Sequence, residues 1–341
     1  MTQPSLTLGQ AARLVSLAGF PESQLEIIPL AGDASTRRYY RVVHPNGSVV
    51  IMQTPEKGQT AHFMAMTSLM NELAVDTPKI LGGDGPFLVL EDLGDNLLQN
   101  HISAMAEDEL EAEYSRILHD LVRFQLNANR LDNKNLPPYI LAFDVEKLTW
   151  EVEFANTHFV GGHLGFEMSV SMRNDFMAEW KMVIEDLAGR METLAHRDLH
   201  CRNIMAVEKR RVWIDYQDAR MGRMLYDLAS LLYDPYAGLS PNLVNRLGDI
   251  YYDALKTSGA ALWPKDRFME LLEFSTLQRI YKALGTYGYQ TSVRGVSTYV
   301  PYIAPSMKTL LEVSRGSLRA GKIAGMLKEI FSAAKESRGA V

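Results

Sequence analysis

Cysteine is almost missing from this chain. Cys201 is the single one in 341 residues, so no intramolecular disulfide can form, and a reducing compartment is permitted. Long apolar runs are missing too. No uninterrupted stretch reaches the roughly 18 residues of a membrane span, so no membrane is expected as a partner. The opening Met1-Thr2-Gln3-Pro4-Ser5 has neither the basic patch nor the apolar core of a signal peptide, and a cytoplasmic location is expected. An excess of positive charge is also lacking. At a net −6, nothing suggests general affinity for nucleic acid or an acidic surface. Repeats and low-complexity tracts are absent. What is present is ordinary soluble composition, 47% apolar and 22% charged, long enough for two domains with a large core. Composition leaves the oligomeric state open.

The pattern changes once along the chain. Residues 6–18 carry apolar positions at helical spacing. Leu25 to Leu30, Arg37 to Val43, Val49 to Met52 and Pro86 to Leu90 read as strands, and His44-Pro45-Asn46-Gly47 as a hairpin turn. Phe63, Met66, Leu69, Met70 and Leu73 line one face of a helix. Beyond Glu91–Gly94, residues 105–128, 140–159 and 170–190 and the stretch after Leu225 are helical in pattern. A short hairpin interrupts them, Asn203 to Val207 and Val212 to Asp215. A nucleotide-binding β-rich lobe over 1–92 and a helical lobe over 93–341 are therefore expected.

The segment His196-Arg197-Asp198-Leu199-His200-Cys201-Arg202-Asn203, with Asp215 twelve residues on, carries the chemistry. Phosphoryl transfer needs a group to orient and deprotonate the acceptor hydroxyl, ligands for magnesium and a cradle for phosphates. In a loop of this length Asp198 can face the acceptor while Asn203 turns to a metal. A hairpin over the residues between would return Asp215 to the same place. One carboxylate and one amide oxygen suit Mg2+, which prefers hard oxygen ligands and keeps waters. Asp227, just ahead of a Leu-Ala-Ser-Leu-Leu run, reads as a structural helix N-terminal group, and His196 as a residue that holds the loop.

These motifs, together with Ile214-Asp215-Tyr216-Gln217-Asp218-Ala219 and Tyr226-Asp227-Leu228-Ala229-Ser230-Leu231-Leu232, resemble the aminoglycoside phosphotransferase/choline kinase superfamily. The resemblance covers most of the chain. It implies a protein-kinase-like α+β fold of two lobes, with ATP and Mg2+ as cofactors. It also implies that Asp198 is the catalytic base, that Asn203 and Asp215 hold metal, and that Asp227 braces the catalytic loop. Asp-Tyr-Gln in place of Asp-Phe-Gly points to a small-molecule acceptor.

On the nucleotide side, Leu90-Glu91-Asp92-Leu93-Gly94 fits a hinge that pairs with adenine through the backbone of Glu91 and Leu93. Gly32 to Thr36 fits a phosphate-covering turn, with Ser35 and Thr36 as donors. The lysine expected on the third strand is replaced by Met52, and its partner glutamate is absent as well. An unpaired buried glutamate would be costly, so the joint loss is self-consistent. Arg37, Arg38, Arg41 and Lys57 are candidates to meet phosphate charge.

Gly32 through Tyr39, Met52, Leu90 through Asp95 and Gln278-Arg279-Ile280-Tyr281-Lys282-Ala283-Leu284-Gly285 resemble one branch of that superfamily, the bacterial anomeric N-acetylmuramate and N-acetylglucosamine kinases. That resemblance implies a sugar acceptor phosphorylated at C1 in cell-wall recycling. Glu153, Arg202 and Gln217 are candidate substrate contacts. Another small-molecule kinase, for aminoglycosides, choline or homoserine, and a non-catalytic nucleotide-binding module remain as alternatives.

Overall fold

The computed structural model describes residues 6–30, 37–56, 58–132, 136–189, 192–260, 263–314, 316 and 318–339. Along the chain run α1 (Leu8–Ser16), β1 (Glu26–Leu30), β2 (Arg38–His44), β3 (Gly47–Gln53), α2 (Gln59–Glu72), β4 (Ile80–Asp84) and β5 (Phe87–Glu91). There follow α3 (Leu98–Ile102), α4 (Glu107–Arg130), α5 (Pro137–Ile140), α6 (Val145–Ala155), a π-helix (Asn156–His163) and α7 (Val170–Ala188). Next come β6 (Thr193–Ala195), a 3-10 turn (Cys201–Asn203), β7 (Ile204–Val207), β8 (Arg210–Trp213) and β9 (Arg220–Gly222). The rest is helical: α8 (Leu225–Leu232), α9 (Pro241–Thr257), α10 (Lys265–Ser292), α11 (Val300–Val313) and α12 (Leu318–Gly339).

Two compact units divide the chain: residues 1–100 with 203–217, and residues 101–202 with 218–341. In the first, an antiparallel sheet runs in the order β1-β2-β3-β5-β4. Alternation decides which face is buried. Tyr40 and Val42 on β2, Val49 and Ile51 on β3 and Val89 on β5 pack with Ala11, Leu14 and Val15 of α1. A capping box between Thr7 and Gln10 starts that helix. Met52 stands in register between Tyr39 and Leu88 and is fully buried. β4 is hidden from pattern reading by Gly82-Gly83. Close neighbours demand both: a Cβ on Gly83 would lie 2.7 Å from the Leu88 side chain of β5, and one on Gly82 2.8 Å from Leu17 Cβ.

The β7–β8 hairpin belongs to this first unit, as do residues 93–100, so the unit is not a single cut near residue 92. Backbone bonds explain it: Ala206 N–H donates to Asn96 O at 2.7 Å and Trp213 N–H to Asp76 O at 2.8 Å. Beneath them Met205 and Val212 pack against Leu93.

In the second unit α10 is the central element, buried on nearly every side. It packs against α6, the π-helix, α8 and α11. Glycines permit the closest approach: a Cβ on Gly285 would sit 2.8 Å from Ala155 Cα. The helical pattern over 140–159 breaks at residues 141–144. There Asp144 caps α6 by accepting from Lys147 N–H, and past Ala155 the helix widens into the π-helix. β6 pairs antiparallel with β9 and leads straight into His196, while β9 leads into α8. That short ladder holds the start of the His196–Asn203 loop beside the start of α8.

Candidate active site

The loop after β6 hangs from α8 and its C-terminal flank. The N–H groups of His196 and Arg197 donate to the two carboxylate oxygens of Asp227, at 2.6 and 3.0 Å. Further along, Cys201 N–H donates to Asp234 Oδ2 at 2.9 Å. Arg197 adopts φ +86°, a conformation a non-glycine residue holds only where its surroundings enforce it, and the bond to Asp227 does so. Burial pushes the Asp227 carboxyl up to about 7, against the two N–H bonds that favour its ionised form. Burial also pushes the Cys201 thiol far up, which removes it as a nucleophile, and lowers His200 to about 4, so that imidazole is neutral at pH 7.

Asp198 sits on this loop with its side chain 32% exposed. Lys282 of α10 donates to its Oδ1 at 2.8 Å, and Arg197 Nε lies 3.9 Å from Oδ2. Burial alone would raise the Asp198 carboxyl. The charges of Lys282 and Arg197 outweigh it and hold the group well below the usual carboxylate range. Further cations share this neighbourhood. Burial and the positive charge of Arg197 depress the proton affinity of Lys147 and of Arg220, and Lys282 adds to the effect on Lys147. Asp218 lies 3.9 Å from Arg197, and Glu151 3.6 Å from Lys147. Cations and carboxylates thus alternate around Asp198: Lys282, Arg197, Arg279, Lys147 and Arg220 stand among Glu151, Asp218 and Asp227.

Asn203 and Asp215 lie on the first unit, and the chain crosses between units at Arg202–Asn203 and Gln217–Asp218. The hairpin brings the two together: beyond the Ile204–Trp213 pair, Ile214 N–H donates to Asn203 O at 3.0 Å. Asp215 follows at φ +64°. Its Oδ1 accepts from Gln217 Nε2 at 2.8 Å, and Gln217 O is bonded to the His62 ring at 2.9 Å. Tyr216 is buried against Phe63 and shares a 2.7 Å hydroxyl bond with Thr67. The residues that replace Phe-Gly thus anchor Asp215 to α2. Among the described residues no group of three His, Cys, Asp or Glu could hold a metal ion. An amide oxygen and one carboxylate fit Mg2+ instead, which completes its shell with water and phosphate oxygens.

The remaining candidates fall into place unevenly. Gln217 reaches Asp215, as above. Arg202 lies over the Tyr236 ring at 3.8 Å and donates to Tyr302 Oη at 2.8 Å. Glu153 is ion-paired with Arg173. Each of these three has a local partner that accounts for its position. The carboxylate of Glu91 pairs with Arg210 at 2.7 Å and its N–H donates to Lys79 O, while Leu93 is buried in the hairpin cluster. Arg41 is held by Asp92 and Asp95. Arg37 lies 3.5 Å from the Tyr39 hydroxyl. Burial raises Tyr39, and Arg37 and Asp215 both act on it, so the three share one neighbourhood. Ser35, Thr36 and Lys57 lie outside the described residues.

Sequence reasoning missed Asp234 and the role of Lys282. Gln278-Arg279-x-x-Lys282 stood out only as a likeness. Its structural sense is one polar stripe on a buried helix, with Gln278 bonded to Glu151, Arg279 to Ser230 and Lys282 to Asp198.

Comparison with known proteins gives the same outline. The family model described as "Phosphotransferase enzyme family" matches residues 26–267. An N-acetylmuramate/N-acetylglucosamine kinase of Neisseria meningitidis is 26% identical over 317 residues, covering 91% of this chain and 92% of that protein. One of the same description from Pseudomonas aeruginosa is 26% identical over 270 residues, covering 77% and 76%. Among solved structures, a choline/ethanolamine kinase family protein from Mesorhizobium loti is similar at TM-score 0.60 and 12% identity, over 95% of this chain and all of that one. A choline kinase from Cryptosporidium parvum is similar at TM-score 0.61 and 13% identity, over 93% and 98%. The fold is thus protein-kinase-like, with a small β-rich lobe and a larger helical one. By the match to its model over most of its length, the chain belongs to the phosphotransferase enzyme family and is an ATP-dependent kinase.

Proposed function

We propose that this kinase phosphorylates the C1 hydroxyl of an N-acetylated amino sugar, N-acetylmuramate or N-acetylglucosamine, using ATP and Mg2+. The observation that carries the choice of acceptor is that the carboxylates near Asp198 are met by cations of the chain itself. Choline, ethanolamine and aminoglycosides are cations and call for an acidic or aromatic cage. Lys282 meets Asp198, Arg197 lies beside Asp198 and Asp218, and Lys147 meets Glu151, so these carboxylates are already paired, which suits a neutral sugar or one bearing a carboxylate better than a cation. The relatives named as N-acetylmuramate/N-acetylglucosamine kinases support the same reading.

In this account Asp198 orients the C1 hydroxyl and takes its proton. The C1 oxygen forms a bond to the γ-phosphorus as the bond from that phosphorus to the β–γ bridging oxygen breaks, giving ADP and a sugar 1-phosphate. Asn203 and Asp215 would hold Mg2+, which when bound neutralises charge on the phosphate oxygens. Gln217 keeps the Asp215 carboxylate oriented. Arg37 supplies part of the positive charge that Met52 does not, with Ser35 and Thr36 over the phosphates and the backbone of Glu91 and Leu93 at the adenine. Asp227, with His196, keeps the loop in shape. We place the reaction in the cytoplasm, where ATP is available, as a step of cell-wall recycling. Among the described residues no helix is long and apolar enough to cross a membrane.

An acceptor panel tests this reading. With ATP and Mg2+, ADP release is expected with N-acetylmuramate or N-acetylglucosamine and not with choline, homoserine or kanamycin. The opposite preference would overturn it. No turnover with any acceptor would favour a nucleotide-binding module.

A further inference from the structure

We infer that Lys282 is a positioning residue for phosphoryl transfer: it fixes the carboxylate of Asp198 through Oδ1 and presents Oδ2 to the acceptor hydroxyl. The inference rests on the reading of Asp198 as the group that receives the acceptor's proton. Its basis is geometric. Lys282 comes from α10, 84 residues along the chain, and its Nζ donates to Oδ1 at 2.8 Å. The lysine is more buried than its partner, 16% against 32% exposed. A partly desolvated ammonium is costly unless a carboxylate meets it, so the pair is built in and unlike a loose surface contact. Arg279 and Gln278, on the same stripe, are bonded to Ser230 of α8 and Glu151 of α6, which locks the helix face that carries Lys282.

Asp198 is faced by Lys282 and Arg279 from α10, by Tyr226 and Asp227 from α8, and by Arg197 and His200 from its own loop. The charge of Asp198 raises Tyr226 and Asp227, His200 is neutral at pH 7, and Lys282 acts most strongly in favour of the ionised Asp198. A carboxylate held ionised in this way is a weak base. It orients the hydroxyl in the ground state and accepts the proton late, when the oxygen has begun to bond to phosphorus and has become acidic. That timing suits the loose transition state of phosphoryl transfer.

Four variants test the inference: Lys282→Met, Lys282→Arg, Asp198→Asn and the double variant Lys282→Met/Asp198→Asn. For Lys282→Met, kcat should fall about 10²-fold or more, within the range a positioned acid–base group contributes, with KM for ATP little changed. In wild type Asp198 stays ionised throughout the working range. Without Lys282, Arg197 opposes burial with less help, the carboxyl rises, and the acidic limb of kcat/KM should move to higher pH than in wild type. Lys282→Arg should restore most of kcat and move that limb back. The double variant should be no slower than Asp198→Asn alone, because Lys282 acts through Asp198. An unchanged pH profile in Lys282→Met, or losses that multiply in the double variant, would overturn the inference. Should Lys282→Met fail to fold, Lys282→Gln keeps the length without the charge and is read the same way. Full turnover in Asp198→Asn would instead refute the reading of Asp198 itself.

Discussion

Asp198, Asn203 and Asp215 are few enough that single substitutions separate their proposed roles. Asp215→Ala removes the one carboxylate of the proposed magnesium site, and turnover should fall on the order of 10³-fold, since a metal contributes several kcal/mol to charge stabilisation. Because Asp215 lies beyond the end of β8 and outside the core, circular dichroism and the melting temperature should stay near wild type. Near-normal activity would remove Asp215 from the metal site. Asp227→Asn makes the contrasting case. The amide offers one acceptor and turns an NH2 group toward the second N–H, replacing an attractive contact by a donor–donor one, so the protein should lose about 1–3 kcal/mol in denaturant titration. The sign with pH follows from Asp227's raised carboxyl. The folded state holds that proton more tightly than the unfolded chain does. The linked stability is therefore fully present below about pH 4 and is lost as pH rises through about 7. The cost of Asp227→Asn, which cannot titrate, should be larger at pH 5 than at pH 8. An equal cost at both would contradict the raised carboxyl.

At the scale of elements, legibility followed the range of the interactions. The β7–β8 hairpin and the buried face of α2 were readable because alternation, turn residues and helical spacing are local signals. Three-residue β6 and β9 were not, since nothing in Thr193-Leu194-Ala195 marks a strand until Arg220–Gly222 lies beside it. β4 was obscured by glycines whose causes are Leu17 and β5, and the π-helix packs on α10, which lies far along the chain. Lys282 illustrates the limit best: its spacing from Gln278 predicts a shared face, and only the fold shows that Asp198 is opposite. The contact of α10 with α6 yields its own prediction. Gly285→Ala should lower stability by about 1–3 kcal/mol through overlap with Ala155, measured by calorimetry. Adding Ala155→Gly should recover little, because the conflict is also with the backbone of Ala155. An unchanged melting temperature would contradict the packing described here.

At the scale of the whole molecule, the candidate residues are divided between the two units of the chain. Asp198 lies on one unit, Asn203 and Asp215 on the other, and the covalent crossings at 202–203 and 217–218 keep the motif continuous in sequence. Motif reading therefore reached a kinase directly, whereas the groups packed around Asp198 come from α6, α8 and α10. In the proposed reading, the pairing of the carboxylates around Asp198 with Lys282, Arg197 and Lys147 favours an amino sugar over the cationic acceptors named for several proteins of the same fold. The identity of the product tests this most directly. After reaction of the purified protein with ATP, Mg2+ and N-acetylmuramate or N-acetylglucosamine, phosphorus NMR should show one new phosphate coupled to the C1 proton of the sugar. A phosphate coupled to the C6 protons, or no sugar phosphate while choline or kanamycin is phosphorylated, would contradict the account.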